Sequence, residues 1–135
     1  MNFSTISFRV RYGETDQMGI VYHGNYLQYL EMGRVEWLRA MGISYKRMEE
    51  DGIKLPVISV NLKYLKSAAY DDVITVATKI KKLPQVKIEF DYEIRAENGD
   101  LLVEATTILA FMDIATNKPI RCPDSLLEKI EKMYF

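Results

Sequence analysis

The chain has 135 residues, 48% of them hydrophobic and 27% charged, with 18 Lys and Arg against 19 Asp and Glu and a formal net charge of -1. That length fits one domain, residues 1–135, and the balanced charge with no basic block excludes a nucleic-acid footprint. A single Cys (Cys122) and a single His (His23) exclude an internal disulfide and a zinc-ligand cluster.

No apolar run approaches the roughly eighteen residues that cross a membrane. The opening run MNFSTISFRVRY lacks the basic-then-apolar order of a secretory signal, so the expectation is a metal-free protein with no membrane span in a reducing cytoplasm.

Ile6, Phe8, Val10 and Tyr12 alternate with Ser7, Arg9 and Arg11, the period of a half-buried strand. The strand feeds YGETDQMGIVYHGNYLQY, Tyr12 to Tyr29, which packs Asp16, His23, three glycines and four tyrosines into eighteen positions. Its glycines permit a tight turn that presents Asp16 beside a helix beginning near His23 or Gly24. A helix start exposes N–H groups of partial positive charge, which suit a carbonyl oxygen becoming an oxyanion. A carboxylate beside such a start is the minimum equipment for hydrolysing an activated acyl group.

From Gly24 to Met41, the residues Tyr26, Leu30, Gly33, Trp37 and Met41 fall on one helical stripe, and Gly42 is a natural stop. Met32 and Val35 interrupt the polar side, so both faces are expected to meet protein. Gly33 disfavours a helix by about 1 kcal/mol relative to Ala, which implies a neighbour too close for a methyl group. Glu31 and Arg34, three residues apart, read as an ion pair. Ser44 to Asp51 forms a short helix capped by Ser44 and closed by Gly52.

After Pro56 the pattern turns to strands: Ile58 to Tyr64, a second from about Val73, and a third in which Val86, Ile88, Phe90, Tyr92, Ile94 and Ala96 alternate with charged residues. Asn98-Gly99 predicts a type I′ hairpin turn with positive φ at both central residues. Leu101 to Asp113 carries apolar residues on both faces, as a central or interface strand does. Pro119 and Pro123 break the pattern, and Asp124 or Ser125 caps a last helix bearing Leu126, Leu127, Ile130 and Met133. One long helix among antiparallel strands is an α+β pattern in which a sheet covers a helix.

The pattern D-x-x-G-x-V-Y-H-x-N-Y, carried by Asp16, Gly19, Tyr22, His23, Asn25 and Tyr26, resembles the signature of the 4-hydroxybenzoyl-CoA thioesterase family of hotdog-fold proteins. Its nearest likeness is to the short acyl-CoA thioesterases associated with the bacterial Tol-Pal system. Glu31 and Arg34 in E-x-G-R, Pro56, and Ala69 to Asp72 extend the likeness along the chain. The resemblance implies a hotdog fold, a sheet of about five strands wrapped around a central helix. It also implies an acyl-CoA thioesterase in which Asp16 acts as general base or as a nucleophile forming a mixed anhydride. Both roles fit the sequence.

At His23 the resemblance implies that the backbone N–H polarises the thioester carbonyl, with the ring free to orient the acyl group or water. Tyr22, Gly24 and Asn25 are then expected beside the substrate, and Tyr26 in the core. Ser59 and Asn61 are expected in a wall supplied by a second subunit of a homodimer or dimer of dimers. Lys82, Lys118 and Arg121 are expected at the phosphates of CoA. CoA is part of the substrate, so no separate cofactor is implied; acyl carrier protein is the other expected acyl donor. The bland reading of Asp16 is a turn residue. In that case the chain would be a non-catalytic acyl-CoA or acyl-carrier-protein binding module.

Overall fold

A computed structural model describes residues 4–134. The alternation of the third predicted strand appears as β5 (Lys87–Ala96), where Ile88, Phe90, Tyr92 and Ile94 are buried. Each side chain's face there follows from the two-residue period of an extended strand. Four more strands join it: β1 (Ser4–Arg9), β3 (Val57–Tyr64), β4 (Val73–Ile80) and β6 (Leu101–Ala110). They make one antiparallel sheet in the order β1-β4-β5-β6-β3. A separate short pair, β2 (Ile53–Lys54) and β7 (Met112–Asp113), closes the far end.

Across the sheet lies α1 (Tyr26–Ala40), which buries Tyr29, Leu30, Gly33, Trp37 and Leu38. The close approach implied at Gly33 is present, because a Cβ built there would lie 2.5 Å from Thr78 Oγ1 and 3.0 Å from Val76 Cγ1. The short helix α2 (Tyr45–Glu50) follows, capped by Ser44 Oγ accepting from the Arg47 N–H. The last helix, α3 (Asp124–Tyr134), buries Leu126 and Ile130 and is tied to α1 by Trp37 Nε1 donating to the Tyr134 hydroxyl at 2.7 Å.

Four expectations need correction. The first strand ends at Arg9: Asp72, opposite Val10, still accepts from its N–H but gives its own N–H to Ala69 O; Tyr12 sits in a 3₁₀ turn, Tyr12–Glu14, and is 78% exposed. The Asn98-Gly99 hairpin has positive φ only at Gly99. The Gly99 N–H donates to Ala96 O and the Ala96 N–H to Asp100 O, a three-residue loop with one glycine in the left-handed region. The strand expected from Leu101 to Asp113 breaks at Phe111, whose N–H goes to Val86 O and whose carbonyl accepts from the Ile120 N–H. Met133 faces solvent.

The two borders of the sheet differ. Along β1, Phe8 packs on Tyr29 of α1 with ring centroids 4.9 Å apart. No strand lies beyond either edge among the described residues, but along β3 Val57, Ile58, Val60 and Tyr64 are exposed.

Candidate active site

Past β1 the chain makes a hairpin-like turn. Thr15 pairs with Val21, the Asp16 N–H donates to Ile20 O at 2.8 Å, and the Gly19 N–H returns to Asp16 O at 3.0 Å. Asp16 Oδ1 accepts from the Met18 N–H at 2.9 Å, a local bond that Asp favours in turns. Gly19, at φ +79°, supplies the left-handed residue that the reversal needs. The returning strand is fastened by the Val21 N–H to Ala68 O, and the Tyr22 N–H donates back to Glu14 O.

A 3₁₀ turn, His23–Asn25, then runs straight into α1. Among the described residues neither the His23 nor the Gly24 backbone N–H donates a hydrogen bond. These are the orphan donors of a helix start, at the positive end of its dipole. Asp16 and His23 line one depression of about 280 Å³ with Tyr26, Tyr64, Lys66 and Ser67. The Tyr64 hydroxyl donates to His23 O at 3.2 Å, so the end of β3 holds the turn from the other side.

Beneath this turn lies Glu14, a buried carboxylate that the sequence reading did not single out. Its Oε1 accepts from the Arg11 N–H and the Tyr29 hydroxyl, each at 2.8 Å, and its Oε2 from Arg11 Nε and Nη2 at 3.1 and 3.0 Å. Burial pushes the Glu14 carboxyl up, but the bonds from Arg11 and Tyr29, with the Arg11 charge, outweigh it and hold the group below its ordinary value. Burial and then the Glu14 carboxylate drive the Tyr29 hydroxyl the other way, well above its ordinary value. Burial also pushes the Cys122 thiol up to about 12, so it carries no thiolate at neutral pH.

The other expected site residues divide into two groups. Tyr22 is half-exposed, its ring tilted against that of His23 with centroids 4.5 Å apart, and it covers Gly24, where a Cβ would come 2.7 Å from it. Asn25 turns inward, donating through Nδ2 to Glu14 O at 2.7 Å, which makes it a fastener of the turn. Tyr26 is buried, as expected, with its ring 5.5 Å from that of Tyr64.

Ser59, Asn61, Lys82, Lys118 and Arg121 lie elsewhere in the protomer. Arg9, at the Asp16 end of β1, pairs with Val73, so Lys82 follows the opposite end of β4, roughly 25 Å away at about 3.3 Å per residue. Lys118 and Arg121 lie just before Cys122, whose N–H donates to Gln85 O, at that same far end. Ser59 pairs with Ile108, also toward the far end. Asn61 lines a depression on the outer face of the sheet with Lys63, Asp91 and Thr106, while Leu62 and Tyr64 face the helix side.

Glu31 and Arg34 form no ion pair: Arg34 Nη1 reaches into the sheet and donates to the Tyr92 hydroxyl at 3.3 Å. Tyr64 and Lys66 were missed beside Glu14, and no local pattern marks them, since β3 and its following turn meet the Asp16 loop only in three dimensions. Among the described residues no cluster of His, Cys, Asp and Glu is arranged to hold a metal ion, and no helix is long and apolar enough to cross a membrane.

Comparison with known proteins identifies the family. Residues 10–130 match the sequence profile of the thioesterase-like superfamily. The putative acyl-CoA thioesterase YneP of Bacillus subtilis is 38% identical over 121 residues, covering 90% of this chain and 88% of that protein. The acyl-CoA thioesterase YbgC of Haemophilus influenzae is 31% identical over 116 residues, 85% of each chain. Among solved structures, a DHNA-CoA thioesterase from Staphylococcus aureus superposes with a TM-score of 0.86 at 34% identity, covering 99% of this chain and 85% of that one. A five-stranded antiparallel sheet around one long helix, matched over nearly its whole length to such proteins, means that the chain belongs to the thioesterase-like superfamily and has its hotdog fold.

Proposed function

We propose that this protein is a cytoplasmic acyl-CoA thioesterase that hydrolyses a thioester to a free acid and CoA and needs no cofactor. The observation that carries the reading is the Asp16 carboxylate sharing one depression with the turn whose His23 N–H is uncommitted. A thioester carbonyl directed at that N–H gains stabilisation as its oxygen takes up charge. Asp16 then either removes a proton from the attacking water or attacks the carbonyl carbon itself, and water splits the resulting anhydride. In both routes the sulfur leaves as thiolate, and one water is consumed.

The active unit in this reading is a homodimer, alone or paired into a tetramer, joined through β3. Support comes from the bare edge of β3 and its exposed Val60 and Tyr64. Antiparallel pairing of two β3 edges would bring one protomer's far end toward the other's Asp16. Ser59, Asn61, Lys82, Lys118 and Arg121 would then serve the neighbouring site, the basic residues against CoA phosphates. Relatives named for acyl-CoA support a CoA thioester, one named for DHNA-CoA makes that acyl group a candidate beside aliphatic ones, and acyl carrier protein is the alternative donor.

The test is a screen of aliphatic and aromatic acyl-CoA thioesters, and acyl carrier protein thioesters, with released thiol as readout. Asp16→Asn should lower the best activity at least about a hundredfold with the fold intact, since acid–base groups contribute about 10²–10⁴. His23→Ala should lose less, because the backbone N–H survives it. Tight binding of acyl-CoA with no turnover by the wild type would instead identify a binding module.

A further inference from the structure

We propose that Glu14 and Tyr29 are a positioning pair: the carboxylate and the phenol pin the Asp16 turn to the first turns of α1 and so set the Asp16 carboxylate against the His23 N–H. As a statement about catalysis this rests on the thioesterase reading. Three segments converge on Glu14. The end of β1 delivers the Arg11 N–H and guanidinium to its carboxylate, and α1 delivers the Tyr29 hydroxyl to Oε1. The Glu14 carbonyl, meanwhile, accepts the Tyr22 N–H at 2.9 Å and Asn25 Nδ2 at 2.7 Å.

Asp16 lies two residues beyond Glu14 on one side, and His23 directly follows Tyr22 on the other. The bond from the Tyr22 N–H to Glu14 O therefore ties the backbone of the carboxylate to that of the oxyanion donor. The phenol that anchors this tie is itself rigid, because the Tyr29 ring is fully buried and packs on Phe8 and Tyr26 at centroid distances of 4.9 and 5.6 Å. Without the hydroxyl, Oε1 keeps only the Arg11 N–H inside a buried site, and the carboxylate gains by turning toward water. The strain of that move falls on the turn carrying Asp16. A displacement of about 1 Å in a reacting group can lower a rate by about a hundredfold.

Tyr29→Phe isolates the effect, since the buried ring stays and only the bond is lost. Its kcat should fall about tenfold or more with KM changed less than about twofold, because substrate grip lies elsewhere. The double variant Glu14→Gln/Tyr29→Phe should be no worse than Glu14→Gln alone, as expected of partners in one bond. Amide hydrogen exchange supplies a readout independent of turnover. The Tyr22 and Asp16 N–H groups should lose protection in Tyr29→Phe while those of β5 keep theirs.

Wild-type kcat in Tyr29→Phe, additive losses in the double variant, or unchanged exchange at Tyr22 would each overturn the pair. If Glu14→Gln fails to fold, Tyr29→Phe carries the test by kinetics and exchange alone. If the wild type hydrolyses no thioester, the thioesterase reading falls, and the exchange result still decides whether the pair holds the turn.

Discussion

β1 and β3 border the same sheet, but they are finished by different means. β1 lies under α1, is locked to it by Phe8 on Tyr29, and leads within a few residues to a turn fastened through Glu14. β3 pairs only with β6, as β1 does only with β4, but Val57, Ile58, Val60 and Tyr64 are exposed in the protomer. Both edges keep a row of unpaired backbone groups among the described residues, but only β3 adds exposed large apolar side chains, which a second strand and its subunit would cover. The Asp16 turn follows β1, and in the proposed reading the second subunit that walls its substrate joins at β3.

The sharpest way to break this contrast is to place the same charge on each border. Val60→Lys on β3 should separate the protomers in sedimentation and lower thioester hydrolysis at least about tenfold, whereas Thr5→Lys on β1 should leave both within about twofold, since lysine is a natural guard against edge pairing. Equal, small effects at the two positions would show that the β3 edge is not joined to anything.

A somewhat smaller effect should come from mixing. Subunits carrying Asp16→Asn, combined with subunits carrying Lys82→Glu, Lys118→Glu and Arg121→Glu, should recover up to about a quarter of wild-type activity, because random pairing in a twofold dimer leaves one sound site in half of the dimers. No recovery would mean that each protomer supplies its own basic residues.

The smallest effect concerns the β1 border and acid. Because the Glu14 carboxyl is held below its ordinary value of 4.5, the folded protein binds fewer protons there than the unfolded chain. Glu14 therefore contributes stability above that value which is lost as pH falls through the lower, folded one. Melting temperature measured from pH 7 to pH 3 should fall less steeply in Glu14→Gln than in the wild type, though from a lower start. Parallel curves would remove Glu14 as an acid-sensitive support.

The fold was legible wherever a side chain's environment is decided by its neighbours in sequence. β5 is the clearest case, its period of two mapping directly onto buried and exposed faces. The same holds for Asp16 and Gly19, since the turn that presents the carboxylate is closed by bonds within five residues. The hairpin at Asn98-Gly99 was misread because its loop length follows the register of β5 on β6, and Asn98 Oδ1 accepts the Asp100 N–H, a bond the dipeptide alone does not reveal.

Contacts distant in sequence were not readable. Glu14 meets Tyr29 fifteen positions away and looks in sequence like one more surface acid. Arg34 suggested an ion pair with Glu31 by spacing, yet its guanidinium finds a phenol on β5. The basic residues expected at CoA showed the same limit, because their type was visible and their distance from Asp16 was not.

Beneath α1, the contact between Gly33 and Thr78 has a consequence for how this sequence can change. The Thr78 hydroxyl is buried without a hydrogen-bond partner, and a methyl group at Gly33 would run into it. Gly33→Ala alone should destabilise the fold by about 1–3 kcal/mol through overpacking. Once Thr78→Ala has removed the hydroxyl, the same methyl group fills the space left behind, and only Val76, 3.0 Å from it, has to yield by a few tenths of an ångström. The order of the two steps decides whether the path is open. A lineage that changes β4 first can move its central helix toward better helix formers, and one that changes α1 first meets a barrier.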